Sequence, residues 1–228
     1  MISVDLTLTA TLKPLRDWLL REHSGTVCPD RLRVIADELA ALSARGLPGA
    51  VVELGTFCGA MALWVRSVLD ALDEQDREIH VYDSFQGMPA PSAEDSDHLA
   101  PGELRSSPDD VRSTHATWGR PAPVIHQGWF DESLPSKLPD AIAFAYLDGD
   151  FYGSTLTGLT HCVPRLLPGG VLLVDDYADT AVNPKAWDGL PGVKRACDTY
   201  FGTASPMTVV VGEGDLALGR YEKPGSAE

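Results

Sequence analysis

The chain has 228 residues, 44% of them hydrophobic, with 18 Lys and Arg against 33 Asp and Glu, a formal charge of −15. That length suits one α/β domain, and the apolar content is enough for a sizeable core. So acidic a surface repels phosphate backbones and anionic lipid, which excludes nucleic acid and membrane as expected partners.

In chain order, residues 1–25 come first. Leu12, Leu15, Trp18 and Leu19 fall at helical spacing, predicting an amphipathic N-terminal extension that covers a pocket or packs on a partner, so a homodimer is one expected arrangement. A second helix is expected over Pro29–Arg45, with Pro29 at its first turn and Gly46 ending it. The first strand is Ala50–Leu54, broken at Gly55 and followed by a helix through Leu72. Further strands are expected at Ile79–Tyr82, Val124–His126, Ile142–Leu147 and Val171–Val174. The last two are near-continuous apolar runs, as in strands covered on both faces. A helix near Ser154–Leu166 joins them, and Met207–Val211 with Asp215–Leu218 reads as a hairpin around Gly212–Gly214. The alternation predicts a doubly wound, mostly parallel Rossmann-like α/β sheet closed by a C-terminal antiparallel hairpin.

The chain thus reads as one domain, 1–228, with a helical extension over 1–48. Residues 87–120 interrupt the rhythm with a polar, Pro- and Ser-rich stretch, expected as a lid or insertion over the carboxyl edge of the sheet. The four cysteines, Cys28, Cys58, Cys162 and Cys197, have no metal-ligand spacing and read as reduced core or pocket thiols. No signal-peptide pattern opens the chain, and no run reaches the roughly 20 apolar residues of a membrane span, so a cytoplasmic protein is expected.

Three constellations carry chemistry. Val51–Gly59 runs from an apolar strand through Glu53-Leu-Gly55-Thr56-Phe57-Cys-Gly59 into a helix, where glycine lets a ligand approach the backbone. It is not the G-x-G-x-x-G dinucleotide fingerprint, which weighs against a nucleotide-dependent oxidoreductase. Asp83, ending the second strand before Ser84, stands where a carboxylate accepts hydrogen bonds from ribose hydroxyls. Asp148 and Asp150 end the fourth strand, and Asp175 and Asp176 end the fifth. Carboxylates so close repel unless a cation or protons neutralise them, and oxygen ligands without His or Cys select Mg²⁺, Mn²⁺ or Ca²⁺. That surplus also weighs against a non-catalytic binding module.

The segments ELGTFCG, VYDSFQGMP, LDGDFYGST, LPGGVLLVDDY and PGVKRACD, within about Val51–Tyr200, strongly resemble the macrocin O-methyltransferase family of sugar-tailoring enzymes. The resemblance implies a seven-stranded class I methyltransferase fold with S-adenosylmethionine as donor and Mg²⁺ as metal. The implied acceptor is a sugar hydroxyl on an antibiotic-like natural product. A catechol, another phenol or an amine is the alternative acceptor. Carried over, Glu53, Gly55, Thr56, Phe57 and Gly59 line the methionine and ribose side of the donor pocket. Asp83 and Ser84 take the ribose, and Gly128, Trp129 and Phe130 form a donor-side turn. Asp148, Asp175 and Asp176 match the metal ligands, and Asp150 the general base. Gln86 departs from the family, whose members often carry Glu there. His98, His115 and Trp118 are candidates to touch the acceptor.

Overall fold

The computed structural model describes residues 6–202 and 204–225. Helices α1 (Leu6–Glu22) and α2 (Pro29–Ala44) precede β1 (Ala50–Leu54), α3 (Ala60–Ala71) and β2 (Ile79–Asp83). Then follow α4 (Pro108–Thr117), β3 (Val124–Gln127), α5 (Phe130–Lys137), β4 (Ile142–Leu147), α6 (Tyr152–Arg165) and β5 (Leu166–Asp175). Helix α7 (Pro191–Phe201) and strands β6 (Thr208–Val210) and β7 (Leu218–Glu222) close the chain. The sheet has seven strands in the order β3-β2-β1-β4-β5-β7-β6. Strands β1 to β5 are parallel, while β7 runs antiparallel to β5 and to β6.

Side-chain alternation along the strands builds the two layers. Val51, Phe144, Tyr146, Val171 and Leu173 point to the face covered by α1, α2 and α3. Val52, Leu54, Ala145, Leu147, Leu172 and Val174 point to the face covered by α5, α6 and α7. Both faces are dry, which is why these strands read as unbroken apolar runs. Leu12, Leu15 and Leu19 of α1 are buried in the first of these cores, so the apolar stripe of the N-terminal extension is spent within its own chain.

Three helices were not expected. Within the 87–120 interruption, Ser107 caps α4 through the Asp110 N–H (3.2 Å), Pro108 opens it, and Val111 and His115 are buried beneath it. The stretch without regular structure therefore narrows to 84–107. Helix α5 begins at Phe130, where only a turn was expected, and α7 begins at Pro191 with Val193, Ala196 and Cys197 inward. The hairpin's second strand begins at Leu218, not Asp215, because Leu216 and Ala217 are buried beside a cavity and make no ladder pairs. Among the described residues no helix is long and apolar enough to cross a membrane.

Strand order reverses at β1, whose neighbours are β2 on one side and β4 on the other. Ligands of open α/β sheets bind outside the carboxyl ends of the strands at such a point. Register fixes which residues meet there. Leu54 pairs with Tyr82 and Leu147, and Leu147 pairs with Val174. The next residues, Asp83, Gly55, Asp148 and Asp175, therefore form one row along the carboxyl edge. Gly55 sits in the left-handed region (φ +88°), and a Cβ there would lie 1.7 Å from the Asp148 carbonyl oxygen. Gly55→Ala is expected to cost about 3 kcal/mol or more, from backbone strain and that clash together. Denaturant unfolding of the variant checks this; a loss below about 1 kcal/mol would mean the β1–β4 edge adjusts freely.

Candidate active site

A cavity of about 910 Å³ opens over this row of residues. Glu53, Gly55, Thr56, Phe57, Asp83, Ser84, Trp129 and Phe130 line it, as do Asp148, Asp150, Asp175 and Asp176. Gly59 and Gly128, expected as donor contacts, are absent from the lining and shape the turns behind it. A Cβ on Gly59 would press on Val111 Cγ1 of α4 at 2.9 Å, and Gly128 (φ 138°) donates its N–H to the Asp83 carbonyl at 3.0 Å.

The donor side is organised by Asp83. One carboxylate oxygen accepts the Phe57 N–H (2.8 Å) and the other the Phe85 N–H (2.7 Å). The carboxylate thereby ties the glycine turn after β1 to the turn after β2. Phe57 (φ 49°) and Phe85 (φ 56°) both adopt left-handed backbone, which these bonds help to hold. Burial raises the Asp83 pKa, and the backbone N–H groups from Phe85 and Phe57 offset part of that rise. Ser84 accepts the Gln86 N–H at 3.0 Å and completes the turn.

Glu53 is buried, and its Oε2 has no hydrogen-bond partner. Burial lifts its pKa from 4.5 to about 8, with Asp83 adding to the rise. The folded protein therefore holds a proton here that the unfolded chain releases above about pH 4.5. By linkage, Glu53 makes stability fall as pH rises from about 4.5 to about 8. Glu53→Gln is expected to be relatively more stable than the parent at pH 8, by a few kcal/mol at most, and equal to it at pH 4. Urea unfolding at the two pH values tests this; an identical difference at both would remove Glu53 as the source.

The acidic side divides in two. One carboxylate oxygen from each of Asp148, Asp150 and Asp176 lies within 4.8 Å of the others. Burial, reinforced by Asp175, raises the pKa of Asp148, Asp176 and Asp150, the last to about 7. Asp150 (φ 58°) and Asp176 (φ 54°) hold left-handed backbone, a cost of about 1–2 kcal/mol each that turns both carboxylates inward.

Asp175 belongs to a different arrangement. Its Oδ2 lies 2.8 Å from Arg31 Nε and also accepts the Tyr146 hydroxyl, while its Oδ1 is buried without a partner. Arg31 comes from α2, is largely buried, and is held from behind by the Thr26 carbonyl at 2.6 Å. Burial opposes the Arg31 charge, but Asp175 and its neighbours outweigh it and raise its pKa further. Arg31 and Tyr146 were not singled out in the sequence. Arg31 stands in an amphipathic helix like any surface charge, and Tyr146 is one more large residue in an apolar strand.

Of the other candidates, His98 lines the cavity. His115 is fully buried, with Nδ1 2.8 Å from the Pro121 carbonyl, and Trp118 packs edge-on against Trp18 at 5.7 Å. Neither reaches the cavity. Cys58 lines it beside His23, Sγ to Nδ1 3.5 Å, and all four cysteines are free thiols. The 84–107 segment is pinned at several points, among them Ser106, which donates to the Phe57 carbonyl (2.7 Å), and the Glu94 carbonyl, which accepts from Arg195 (2.7 Å). Asp95 accepts the Tyr152 N–H at the start of α6 (2.7 Å), and Ser96 donates to the Gly189 carbonyl (2.5 Å).

The macrocin-O-methyltransferase family model matches residues 15–192. The chain belongs to that family. It is 34% identical over 145 residues to mycinamicin III 3''-O-methyltransferase of Micromonospora griseorubida, covering 58% of this chain and 56% of that one. It is 33% identical over 184 residues to a tetracenomycin rhamnosyl 4'-O-methyltransferase of Streptomyces olivaceus, covering 76% and 69%. The chain thus spans little more than half of the first relative and about two-thirds of the second. Among solved structures it resembles the O-methyltransferase NovP, with a TM-score of 0.72 and 28% identity, over 86% of this chain and 80% of that one. The seven-stranded sheet with its antiparallel end is the class I methyltransferase fold that the motifs implied.

Proposed function

We propose that the protein transfers a methyl group from S-adenosylmethionine to a hydroxyl on a sugar moiety of a natural-product glycoside. A divalent cation, Mg²⁺ by resemblance, is part of this reading. The observation that carries it is the single cavity in which a donor-type turn and an acidic cluster lie side by side: Glu53, Gly55 and Asp83 at one end of the edge row, Asp148, Asp150, Asp175 and Asp176 at the other. The Streptomyces olivaceus relative is named for a rhamnosyl-bearing tetracenomycin substrate, which supports the acceptor class.

The donor set fits a hard cation. Three carboxylates converge within 4.8 Å, and a fourth keeps one oxygen buried and unpartnered. Asp148 and Asp176 are ligands in this reading, and Asp175 contributes its free Oδ1 while Arg31 and Tyr146 hold its Oδ2. When bound, the cation supplies Lewis acidity that lowers the pKa of an acceptor hydroxyl.

The chain's own residues do the rest. Asp83 and Glu53 seat the donor, and the turn that Asp83 pins keeps the Gly55 backbone open to it. Asp150, one of the three converging carboxylates and held in a left-handed backbone conformation, accepts the hydroxyl proton as the oxygen–methyl bond forms and the carbon–sulfur bond breaks. With a cation held beside it Asp150 would be a weaker base than its burial alone makes it, so its role depends on the hydroxyl having been acidified first. The segment 84–107, pinned through Asp95 and Ser96, keeps water from the reacting groups.

Calorimetry separates this reading from a nucleotide-dependent oxidoreductase. S-adenosylhomocysteine is expected to bind and NAD not to bind, and Asp83→Ala is expected to weaken S-adenosylhomocysteine at least tenfold. Binding of NAD in preference, or an unchanged affinity in the variant, would overturn the donor assignment.

A further inference from the structure

Arg31 is the only Lys or Arg among the described residues that line the cavity, whose wall also carries ten Asp and Glu. Its side chain is 15% exposed, and its Nε lies 2.8 Å from the Asp175 carboxylate, itself 1% exposed. The contact runs on into the cluster. The Tyr146 hydroxyl donates to the same Asp175 oxygen and lies 3.4 Å from Asp148 Oδ2. One fixed positive charge thus stands at the inner end of the carboxylate row.

The guanidinium is fastened there. Nη1 donates to the Thr26 carbonyl at 2.6 Å, in the turn between α1 and α2. Asp30, just before it, accepts the Glu213 and Gly214 N–H groups at 2.7 and 3.1 Å and ties the start of α2 to the β6–β7 connection. The Leu32 carbonyl, just after it, accepts the Trp64 indole N–H of α3 at 2.8 Å. Three successive residues therefore bind the first turn of α2 to three neighbours. A guanidinium on a free stem could swing away when a second positive charge arrives. This one is held both at its backbone and at its tip.

We infer that Arg31 is a built-in counter-ion for the acidic cluster: it keeps the carboxylates together while no cation is bound, and by repulsion it keeps the cation loosely held and exchangeable. This rests on the proposed divalent cation. Asp175 is shared between the two charges, with Oδ2 on Arg31 and the unpartnered Oδ1 left for the cation. Two positive charges on one buried carboxylate repel with little water to screen them. Were Arg31 there only to aim Asp175, its loss would weaken cation binding. As a counter-ion, its loss strengthens that binding.

The test titrates the chelator-stripped full chain with Mn²⁺ alone and reads the unbound Mn²⁺ by electron paramagnetic resonance. Arg31→Gln, which removes the charge and keeps a polar head, is expected to bind Mn²⁺ at least tenfold more tightly than the parent. Arg31→Lys, which keeps the charge, is expected to stay within threefold of the parent. In thermal unfolding Arg31→Gln should melt below the parent without metal, and the same Mn²⁺ concentration should raise its melting temperature by more than it raises the parent's. An Arg31→Gln protein that folds only with Mn²⁺ present is the same result in its extreme form. S-adenosylhomocysteine affinity within threefold of the parent shows that each variant is folded at the donor end. Equal or weaker Mn²⁺ binding by Arg31→Gln, or a tenfold change in Arg31→Lys, overturns the inference and leaves the cation reading standing. Mn²⁺ bound by none of the three proteins sinks the cation reading itself and this inference with it.

Discussion

Asp148→Asn is expected to lower metal-dependent methyl transfer by at least a thousandfold while leaving the protein no less stable than the parent. The substitution is isosteric and keeps the strand end intact, with the Asp148 N–H still bonded to the Leu54 carbonyl at 2.8 Å. It removes one of three carboxylates that lie within 4.8 Å of one another, and so removes a group whose charge is opposed first by burial and then by its neighbouring carboxylates. Function and stability are therefore predicted to move in opposite directions. S-adenosylhomocysteine affinity should stay within twofold, because the donor end rests on Glu53, Gly55 and Asp83. The rise in melting temperature on adding Mg²⁺ should be lost. Turnover within tenfold of the parent would show that Asp148 holds no essential cation.

Arg31→Met is expected to destabilise the fold by about 3–5 kcal/mol near neutral pH, the usual cost of stranding one member of a buried ion pair. Asp175 would keep only the Tyr146 hydroxyl on Oδ2, with Oδ1 still unpartnered. The double variant Arg31→Met with Asp175→Asn removes both charges and is expected to recover most of the loss. Urea unfolding of the four proteins in a double-mutant cycle gives the coupling directly. A double variant as unstable as Arg31→Met alone would mean that Arg31 stabilises by packing its stem and not by facing Asp175.

That pair also shows where sequence reading reached its limit. The strands and the strand-end aspartates were legible because a sheet buried on both faces demands continuous apolar runs, and acidic residues that interrupt such runs stand out. Parallel register then puts Asp83, Gly55, Asp148 and Asp175 in one row, since each follows the last paired residue of its strand. Helices α4, α5 and α7 were not legible. Helix α4 buries Val111 and His115 inside a polar stretch, α5 is eight residues long and contains Pro135, and α7 turns small residues inward. Their stop and start signals, Ser107-Pro108 above all, carried more information than their apolar pattern. In the sequence, resemblance set Asp150 apart as the base and grouped Asp175 with Asp148 and Asp176 as metal ligands. Only tertiary packing separates Asp175, engaged by a residue more than 140 positions earlier in the chain, from the three that converge. His115 and Trp118 failed as acceptor contacts for the same reason: α4 folds them onto α1 and α3 and away from the cavity.

The acidic cluster is proposed to work with a divalent cation in the methylation of a sugar hydroxyl. That role is tested most directly by incubating the chelator-stripped protein with S-adenosylmethionine and phenyl α-L-rhamnoside, adding Mg²⁺, and locating the new methyl group by NMR. No product is expected before the metal is added, and an O-methyl group on a ring hydroxyl of the sugar is expected afterwards. Methyl transfer at full rate in excess chelator, or a methyl group found only on nitrogen or phenolic oxygen across a wider set of acceptors, would contradict it.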